Sequence, residues 1–183
     1  MIEIKDLSVR LGAKQIFDRF STDLPDSGVV LLFGESGVGK TTLLRVLSNL
    51  IKPDGGTVTG LEGRKISVVF QEPRLIAHMS ALDNVALVSD HLTAKKLLIA
   101  LNLENELHEK AGKLSGGQKQ RVSLARAFAF SDDVVLLDEP FSGLDEQNKQ
   151  RAAALIRTAK LAIVVTHDPS DAALLQADRK ITL

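Results

Sequence analysis

The chain has 183 residues, no cysteine, and 23 Lys plus Arg against 23 Asp plus Glu. This length suits one domain with its own core. The lack of cysteine excludes disulfides and cysteine-based metal sites, and the charge balance gives no basic surplus that would favour nucleic acid.

The N-terminal segment alternates apolar and polar side chains, as a half-exposed antiparallel β ribbon does. Apolar residues occupy even positions at Ile2 and Ile4 but odd positions from Leu7 onward, so we expect a bulge or turn near residues 5–6. A second strand is predicted over residues 15–24. Nothing here reads as a signal peptide, and no apolar run approaches the roughly 18 to 20 residues of a membrane-spanning helix, so we expect any membrane role to come through a partner.

A glycine-rich loop follows an apolar strand predicted at residues 29–33 and precedes an amphipathic helix predicted at residues 41–50. Its spacing, G-x-x-x-x-G-K-S/T, is that of a phosphate-binding loop. The glycines let backbone N–H groups approach polyphosphate oxygens, the lysine adds a cation for the β- and γ-phosphates, and the threonine hydroxyl suits Mg²⁺. The predicted nucleotide-binding residues are Gly34, Glu35, Ser36, Gly37, Val38, Gly39, Lys40, Thr41 and Thr42.

The chain becomes helical in character between residues 71 and 114. Proline and glycine at residues 52–56 end the preceding helix, and short strands are predicted at 57–59 and 65–70. Ser80 with Asp83 predicts a capped helix through Leu87, and Thr93 is predicted to cap a second helix. We expect one domain over residues 1–183, with a core at 1–70 and 115–183 and a helical subdomain at about 71–114.

Helices and strands alternate in the remaining chain. Helices are predicted at 118–130, 146–158 and 170–177, and strands at 134–137 and 161–166. This alternation is typical of a parallel sheet covered on both faces. The predicted fold class is α/β, a phosphate-loop NTPase with a mostly parallel central sheet, an N-terminal antiparallel β ribbon and a small inserted helical subdomain.

Two acids, Asp138 and Glu139, end the apolar strand at residues 134–137. Ligands of open parallel sheets bind at the carboxyl ends of the strands, so both carboxylates are expected to face the crevice of the phosphate loop. Asp138 is predicted to reach Mg²⁺ directly or through water, and Glu139 to orient and polarise the attacking water as general base. On its own, such a pair could also be a solvated strand end.

The sequence Leu-Ser-Gly-Gly-Gln at residues 114–118 precedes the next predicted helix. Ser115 can cap this helix, and its two glycines expose backbone N–H groups, which predicts a second anion site. Taken alone, the segment is more simply a capped helix start, because one chain has no evident need of two γ-phosphate sites.

The chain resembles the ATP-binding-cassette (ABC) ATPases over essentially its whole length. The resemblance rests on the order of the phosphate loop, Gln71, residues 114–118, the Val-Val-Leu-Leu-Asp-Glu-Pro run at 134–140, Ser-Gly-Leu-Asp at 142–145, and His167. It implies that two copies close head to tail, with each ATP held between the phosphate loop of one copy and the signature of the other. The implied signature residues are Leu114, Ser115, Gly116, Gly117 and Gln118.

The resemblance also implies individual roles. Gln71 touches Mg²⁺ or the attacking water and reports occupancy to the helical subdomain, His167 contacts the γ-phosphate, and Asp145 helps to join the two sites across the dimer. The implied catalytic residues are therefore Glu139, His167 and Gln71, and the implied ligands of the Mg²⁺ cofactor are Thr41, Gln71 and Asp138. Taken singly, Gln71 and His167 would be ordinary polar residues at strand ends.

The chain departs from the family because it lacks Tyr and Trp. Family members commonly stack adenine on an aromatic residue of the N-terminal ribbon, where this chain has Leu11, and a leucine lacks the quadrupole that favours stacked rings. We therefore expect weak discrimination between bases, with GTP able to replace ATP. The chain is also short for the family, and no regulatory domain is expected after Leu183.

Residues 69–75 and 79–85 are most similar to the ATPase subunits of nitrate-, sulfonate- and taurine-type importers. The resemblance implies a nucleotide-binding subunit that drives uptake of a small organic or inorganic solute. Its implied partners are ATP, a second copy or a second ABC ATPase, and integral membrane permease subunits, with no nucleic acid. Its implied location is the cytoplasm, peripheral on the inner face of the cell membrane.

Other functions remain open from the sequence. The nearest alternative is an exporter or lipoprotein-release ATPase, and only the segment after Gln71 discriminates it from an importer in this sequence. A soluble cassette acting on nucleic acid or ribosomes would usually carry two cassettes or a long coiled coil, and residues 41–114 leave no room for one. A nucleotide-gated module that does not hydrolyse ATP would have no use for Glu139 and His167.

Overall fold

A computed structural model describes every residue from Met1 to Leu183. The strands, in chain order, are β1 (Ile2–Leu11), β2 (Lys14–Leu24), β3 (Gly28–Phe33), β4 (Gly55–Thr59), β5 (Ile66–Val69), β6 (Val134–Asp138), β7 (Leu161–Val165) and β8 (Arg179–Thr182). The helices are α1 (Lys40–Leu47), α2 (Ala81–Ala86), α3 (His91–Ala100), α4 (Gly116–Phe130), α5 (Glu146–Ile156) and α6 (Asp171–Leu175). None of the helices has both the length and the apolar character needed to cross a bilayer.

The central sheet has five parallel strands in the order β5-β6-β7-β3-β8. Strands β6 and β7 are buried along their whole length, as expected for parallel strands covered on both faces. The predicted α/β class and the parallel sheet are confirmed.

Alternate side chains of this sheet enter two separate hydrophobic cores. Val29 and Leu31 of β3 face the core that α4 and α5 cover, whereas Val30 and Leu32 face the core shared with α1 and the antiparallel ribbon. The two-residue period of a strand produces this division. A slip of β3 by one residue would exchange the two sets, so both cores fix its register.

The antiparallel ribbon has three strands in the order β2-β1-β4. The expected bulge in β1 is confirmed, because the pairing register with β2 shifts between Ile4 and Leu7 and Asp6 has a positive φ of 48°. Strand β4 adds to the free side of β1, with Ile4 opposite Val58. The ribbon packs through its buried apolar face onto the α1 side of the sheet.

Helices α2 and α3 lie in the region predicted to be helical and contribute buried side chains to the same core as α4. The predicted cap of α2 is confirmed, since the Ser80 hydroxyl accepts the N–H of Asp83. The prediction for α3 is wrong: Asp90 caps it, accepting the N–H of Thr93 at 2.9 Å. Thr93 lies in the first turn, where its hydroxyl donates to the same carboxylate. The division into core and helical subdomain stays a prediction.

Several element boundaries differ from those predicted. Helix α1 ends at Leu47 and not at residue 50, because Asn49 adopts a left-handed backbone conformation with φ of 58°. Helix α4 begins at Gly116, two residues before the predicted start, directly after its cap Ser115. Strand β8 was not predicted, and it forms by pairing with β3 at the edge of the sheet.

Shortening Leu98 to Ala tests how much the packing of α3 contributes to stability. Leu98 is completely buried, so we expect Leu98→Ala to lower the free energy of unfolding by about 2–5 kcal/mol through lost burial and a residual cavity. Leu92 on the same helix is 63% exposed and provides the matched control, Leu92→Ala. Urea unfolding of both variants measures the difference, and equal losses would contradict the observed packing.

Candidate functional site

Three strands of the central sheet end side by side and bring the phosphate loop, the acidic pair and His167 to one end of the sheet. Strand β7 pairs with both neighbours, so that Val165 lies opposite Leu32 of β3 and Asp138 of β6. The phosphate loop, Glu139 and His167 follow these three strands. A cavity of about 320 Å³ opens there, lined by Lys14, Ile16, Ser36, Gly37, Gly39, Lys40, Thr41, Thr42, Gln71, Asp138, Glu139 and Val165.

The phosphate loop passes close beneath strand β2. Gly39 has a φ of 116°, and a β-carbon placed on it would lie 2.7 Å from the Phe17 ring and 2.8 Å from the Ile16 side chain. Only glycine fits both the backbone conformation and the space. The buried Lys40 ammonium folds over the loop and donates to the carbonyl oxygens of Gly34 at 2.6 Å and Glu35 at 2.8 Å.

The N-terminus of α1 faces this cavity without a side-chain cap. Gly39 occupies the capping position and makes no side-chain hydrogen bond, so the first N–H groups of the helix stay available to an anion. Thr41 donates its hydroxyl to Oδ2 of Asp138 at 2.7 Å. Two of the three residues implied as metal ligands therefore already touch, and the third, Gln71, lines the same cavity.

Glu139 is held in an unusual backbone conformation. Its φ is 50°, a left-handed value that costs energy for a non-glycine residue and is frequent at functional sites. Its N–H donates to the Val165 carbonyl at 2.9 Å, which continues the β6–β7 ladder by one residue. The Glu139 side chain is mostly buried at the cavity wall.

Glu139 and His167 form a side-chain pair. Nδ1 of His167 lies 2.9 Å from Oε1 of Glu139. The hydrogen bond and the charge of Glu139 raise the pKa of His167 above its ordinary value. Two of the three predicted catalytic residues are thus in direct contact, although the His167 side chain is 80% exposed.

The wall beside the phosphate loop is formed by residues other than the expected one. Ile16 and Lys14 of β2 line the cavity, whereas Leu11 lies at the end of β1, is 40% exposed and does not line it. No aromatic side chain lines the cavity either. The base of a nucleotide bound here would meet an aliphatic and a cationic side chain.

The signature segment begins α4 away from this cavity, which none of residues 114–118 lines. Ser115 and Gln118 form a reciprocal capping box: the Ser115 hydroxyl accepts the Gln118 N–H, and Oε1 of Gln118 accepts the Ser115 N–H. Gly117 packs so tightly on the carbonyl of Gly143 that a β-carbon there would collide with it. The buried Gln120, one turn on, donates to the Glu139 carbonyl at 3.4 Å.

Asp145 caps the next helix, α5. Its Oδ1 accepts the N–H of Asn148 at 2.8 Å, and its Oδ2 accepts from the Asn148 side chain at 2.9 Å. The hydrogen bonds from Asn148 lower the pKa of Asp145 below its ordinary value. The structure therefore gives Asp145 a local structural role, and its role across a dimer stays a prediction.

The sequence does not single out Thr166, which precedes His167, or Asp171, which follows it by four residues. Thr166 donates its hydroxyl to Oδ2 of Asp171, and both side chains are buried. Burial raises the pKa of Asp171 above its ordinary value. Neither residue belongs to a spacing pattern, so only the fold brings them to attention.

Comparison with known proteins agrees with this geometry. A protein-family model described as ABC transporter matches residues 17–142. The aliphatic sulfonates import ATP-binding protein SsuB of Zymomonas mobilis is 40% identical to the chain, over all of the chain and 81% of that protein. The sulfate/thiosulfate import ATP-binding protein CysA of Escherichia coli is 35% identical, over all of the chain and 57% of that protein.

Solved structures of ATP-binding cassettes have the same fold as this chain. The ATP-binding cassette MJ0796, in a dimeric post-hydrolysis state bound to ADP and Pi, superimposes with a TM-score of 0.88 at 28% identity. The alignment covers all of the chain and 94% of that structure. A second dimeric structure of the same cassette, described as a bacterial ABC transporter cassette, gives a TM-score of 0.85.

The buried carboxyl of Asp171 predicts a pH-dependent gain in stability for Asp171→Asn. Because folding raises its pKa, ionisation of Asp171 weakens the fold as the pH rises from the ordinary value of 3.8 through the folded value. We expect the variant to melt at a higher temperature than the parent chain at about pH 7, and the gain to disappear as the pH falls toward about 4.

Asp168→Asn is the control, and its stability should change in the opposite direction, because hydrogen bonds from Ser170 lower the pKa of Asp168. Its loss of stability should be present at neutral pH and vanish in acid. Thermal melts across this pH range measure both variants, and a gain for Asp171→Asn that persists unchanged in acid would contradict the assignment.

Proposed function

The chain belongs to the ABC transporter family, and from this premise we propose that it is the ATP-hydrolysing subunit of an importer for a small organic or inorganic solute. The observation that carries the proposal is that the phosphate loop, Asp138 and Glu139 line one cavity and that His167 contacts Glu139 at the wall of this cavity. The similar proteins SsuB and CysA are import ATP-binding proteins, which favours import over export.

Nucleotide binding begins with the phosphate loop. The Lys40 ammonium donates two of its three N–H groups to backbone carbonyls, and we propose that it also meets the β- and γ-oxygens of a triphosphate. The uncapped N–H groups of α1 and the glycines of the loop supply further donors to the same oxygens. We propose residues 34–42 as the phosphate-binding set.

The side chains around Asp138 fit a magnesium ion. Thr41, Asp138 and Gln71 offer a hydroxyl, a carboxylate and an amide oxygen, and hard oxygen donors of this kind suit Mg²⁺ together with phosphate oxygens. The contact of Thr41 with Asp138 shows that two of these donors converge on one point. When bound, the ion would neutralise charge on the β- and γ-phosphates.

Glu139 is the proposed general base. Its carboxylate accepts a proton from a water molecule as the water oxygen attacks the γ-phosphorus, and the bond to the β-bridging oxygen breaks to leave ADP and phosphate. The contact with His167 fixes the direction of the carboxylate, and the exposed face of the imidazole is free to donate to a γ-phosphate oxygen. The strained backbone at Glu139 points it toward the cavity before substrate arrives.

A second copy is the proposed partner for the signature segment. Residues 114–118 form the N-terminus of α4, where Gly116 is exposed and Gly117 is half-buried, yet they do not line the phosphate-loop cavity of their own chain. In a head-to-tail dimer, Ser115 and Gly117 would contact the γ-phosphate of the partner's ATP, and Asp145 would lie near the junction of the two sites. The dimeric cassettes of the same fold support this arrangement.

Transport itself requires partners. We propose that the dimer drives separate integral membrane permease subunits from the inner face of the cell membrane. The permease and its solute-recognition proteins would select the solute. The segment after Gln71, which joins β5 to α2, is the proposed receiver of the permease contact.

Glu139→Gln tests the assignment of the base. We expect the variant to bind ATP within about twofold of the parent affinity, because the amide keeps the shape of the side chain. Steady-state phosphate release should fall by about 10²-fold or more, because an amide cannot accept the proton. Glu104→Gln, at an exposed position of the helical region, is the control and should hydrolyse normally. Normal turnover in Glu139→Gln would place the base elsewhere.

The aliphatic wall beside the phosphate loop predicts weak selection of the base. Ile16 offers apolar contact to any purine, and no aromatic ring is available for stacking. We expect GTP to be hydrolysed within about tenfold of the ATP rate at equal concentration. Loss of both activities in Glu139→Gln would establish that one site hydrolyses both nucleotides, and a GTP rate far below the ATP rate would refute the prediction.

A further inference from the structure

The carboxyl group of Asp171 is the one buried side chain in this protein that leaves a polar atom without a hydrogen bond. Asp171 is 2% exposed, and its Oδ1 has no partner. Leaving a buried acceptor without a hydrogen bond destabilises a fold, so its presence calls for a reason. The residue opens α6, three positions after Asp168.

The other oxygen of Asp171 closes a turn around His167. Oδ2 accepts the hydroxyl of Thr166, whose side chain is also fully buried. The same Thr166 oxygen accepts the N–H of Asp168 at 3.1 Å. Thr166 and Asp168 are the two neighbours of His167, so this chain of hydrogen bonds ties both sides of His167 to one buried carboxylate.

The His167 side chain has little else to hold it. It is 80% exposed, and its ring makes a hydrogen bond to Glu139 through Nδ1. With so little packing, the direction of the imidazole depends on the backbone turn that carries it. A small rotation of this turn would separate Nδ1 from the Glu139 carboxylate.

Asp171 is not needed as a helix cap. Ser170 occupies the capping position, and Asp171 is the first residue of the helix. Oδ1 of Asp168 accepts both the N–H of Ser170 at 2.9 Å and the Ser170 hydroxyl at 2.7 Å. Lys149 lies 3.6 Å from the other oxygen of Asp168 and balances its charge. The Asp171 carboxylate instead points inward to Thr166, and it lines a second cavity of about 320 Å³ that Glu139 and His167 also line.

We propose that Asp171 is a positioning residue for ATP hydrolysis: through the Thr166 hydroxyl it holds the turn of residues 166–168 that directs Nδ1 of His167 at Glu139. This inference rests on the proposed function for its catalytic consequence. The dependence of the His167–Glu139 contact on Asp171 can be tested whether or not the protein hydrolyses ATP.

Two matched pairs of variants test the proposal. Thr166→Val and Asp171→Leu keep the approximate shape of each side chain and break the Thr166–Asp171 hydrogen bond. Thr166→Ser and Asp171→Asn keep a hydroxyl donor and a side-chain oxygen acceptor, so both should preserve the turn. Since the two breaking substitutions cut the same link, their effects in the double variant should be less than additive.

The first measurement is the nitrogen chemical shift of the His167 ring in the nucleotide-free protein, at one fixed pH. The chain has four histidines, and the His167 signals are identified by their loss in His167→Gln. Glu139→Ala supplies the signal of a ring without its partner. The breaking variants should move toward this signal, and the preserving variants should keep the parent signal. A parent-like signal in Thr166→Val and Asp171→Leu overturns the proposal.

The second measurement is the kcat for ATP hydrolysis beside the dissociation constant for ATP. The breaking pair should lower kcat by at least about tenfold and leave ATP affinity within about twofold, because only the reacting geometry is disturbed. Equal loss of kcat in the preserving and breaking variants would also overturn the proposal. If Asp171→Leu fails to fold, the Thr166 pair decides alone. A parent rate no higher than that of Glu139→Gln would refute the proposed function, and the ring signals would still decide the positioning role.

Discussion

The parallel alignment of β3, β7 and β6 is the constraint on which the site depends. Val165 lies opposite both Leu32 and Asp138, so the phosphate loop, the acidic pair and His167 all follow the carboxyl ends of adjacent strands. Alternate side chains of these strands fill two different cores, and a shift of one residue would exchange them. Packing far from the nucleotide therefore fixes the relative positions of groups that must act together.

The sequence predicts the elements whose signals are local. Apolar runs and glycine spacing predict the phosphate loop and the strand before Asp138, and the hydroxyl of Ser80 predicts the start of α2. The sequence alone misplaces the start of α3, because Asp90 and Thr93 both carry capping oxygens and only Asp90 has the extended backbone of a cap. Strand β8 has no strong pattern of its own, and its conformation depends on pairing with β3.

The remaining parts of the site depend on contacts between distant segments. Ile16 and Lys14 reach the cavity only because the ribbon packs across the phosphate loop, as the space around Gly39 shows. The sequence indicates an exposed acid at Asp171, in the first turn of a short helix, whereas the folded chain buries it against Thr166, which follows β7. No residue spacing encodes such contacts, because they join separate elements of the folded chain.

The close contact of Gly117 with Gly143 has a consequence for genetic experiments. Gly117 belongs to the segment proposed to complete the neighbour's site, yet it also packs on the loop that follows its own Glu139. In the proposed dimer, a side chain at Gly117 would therefore damage both of the sites to which its subunit contributes. In a mixed dimer with one altered copy, neither site would be intact. Complementation between this lesion and one in the phosphate loop of the other copy cannot restore a working pair.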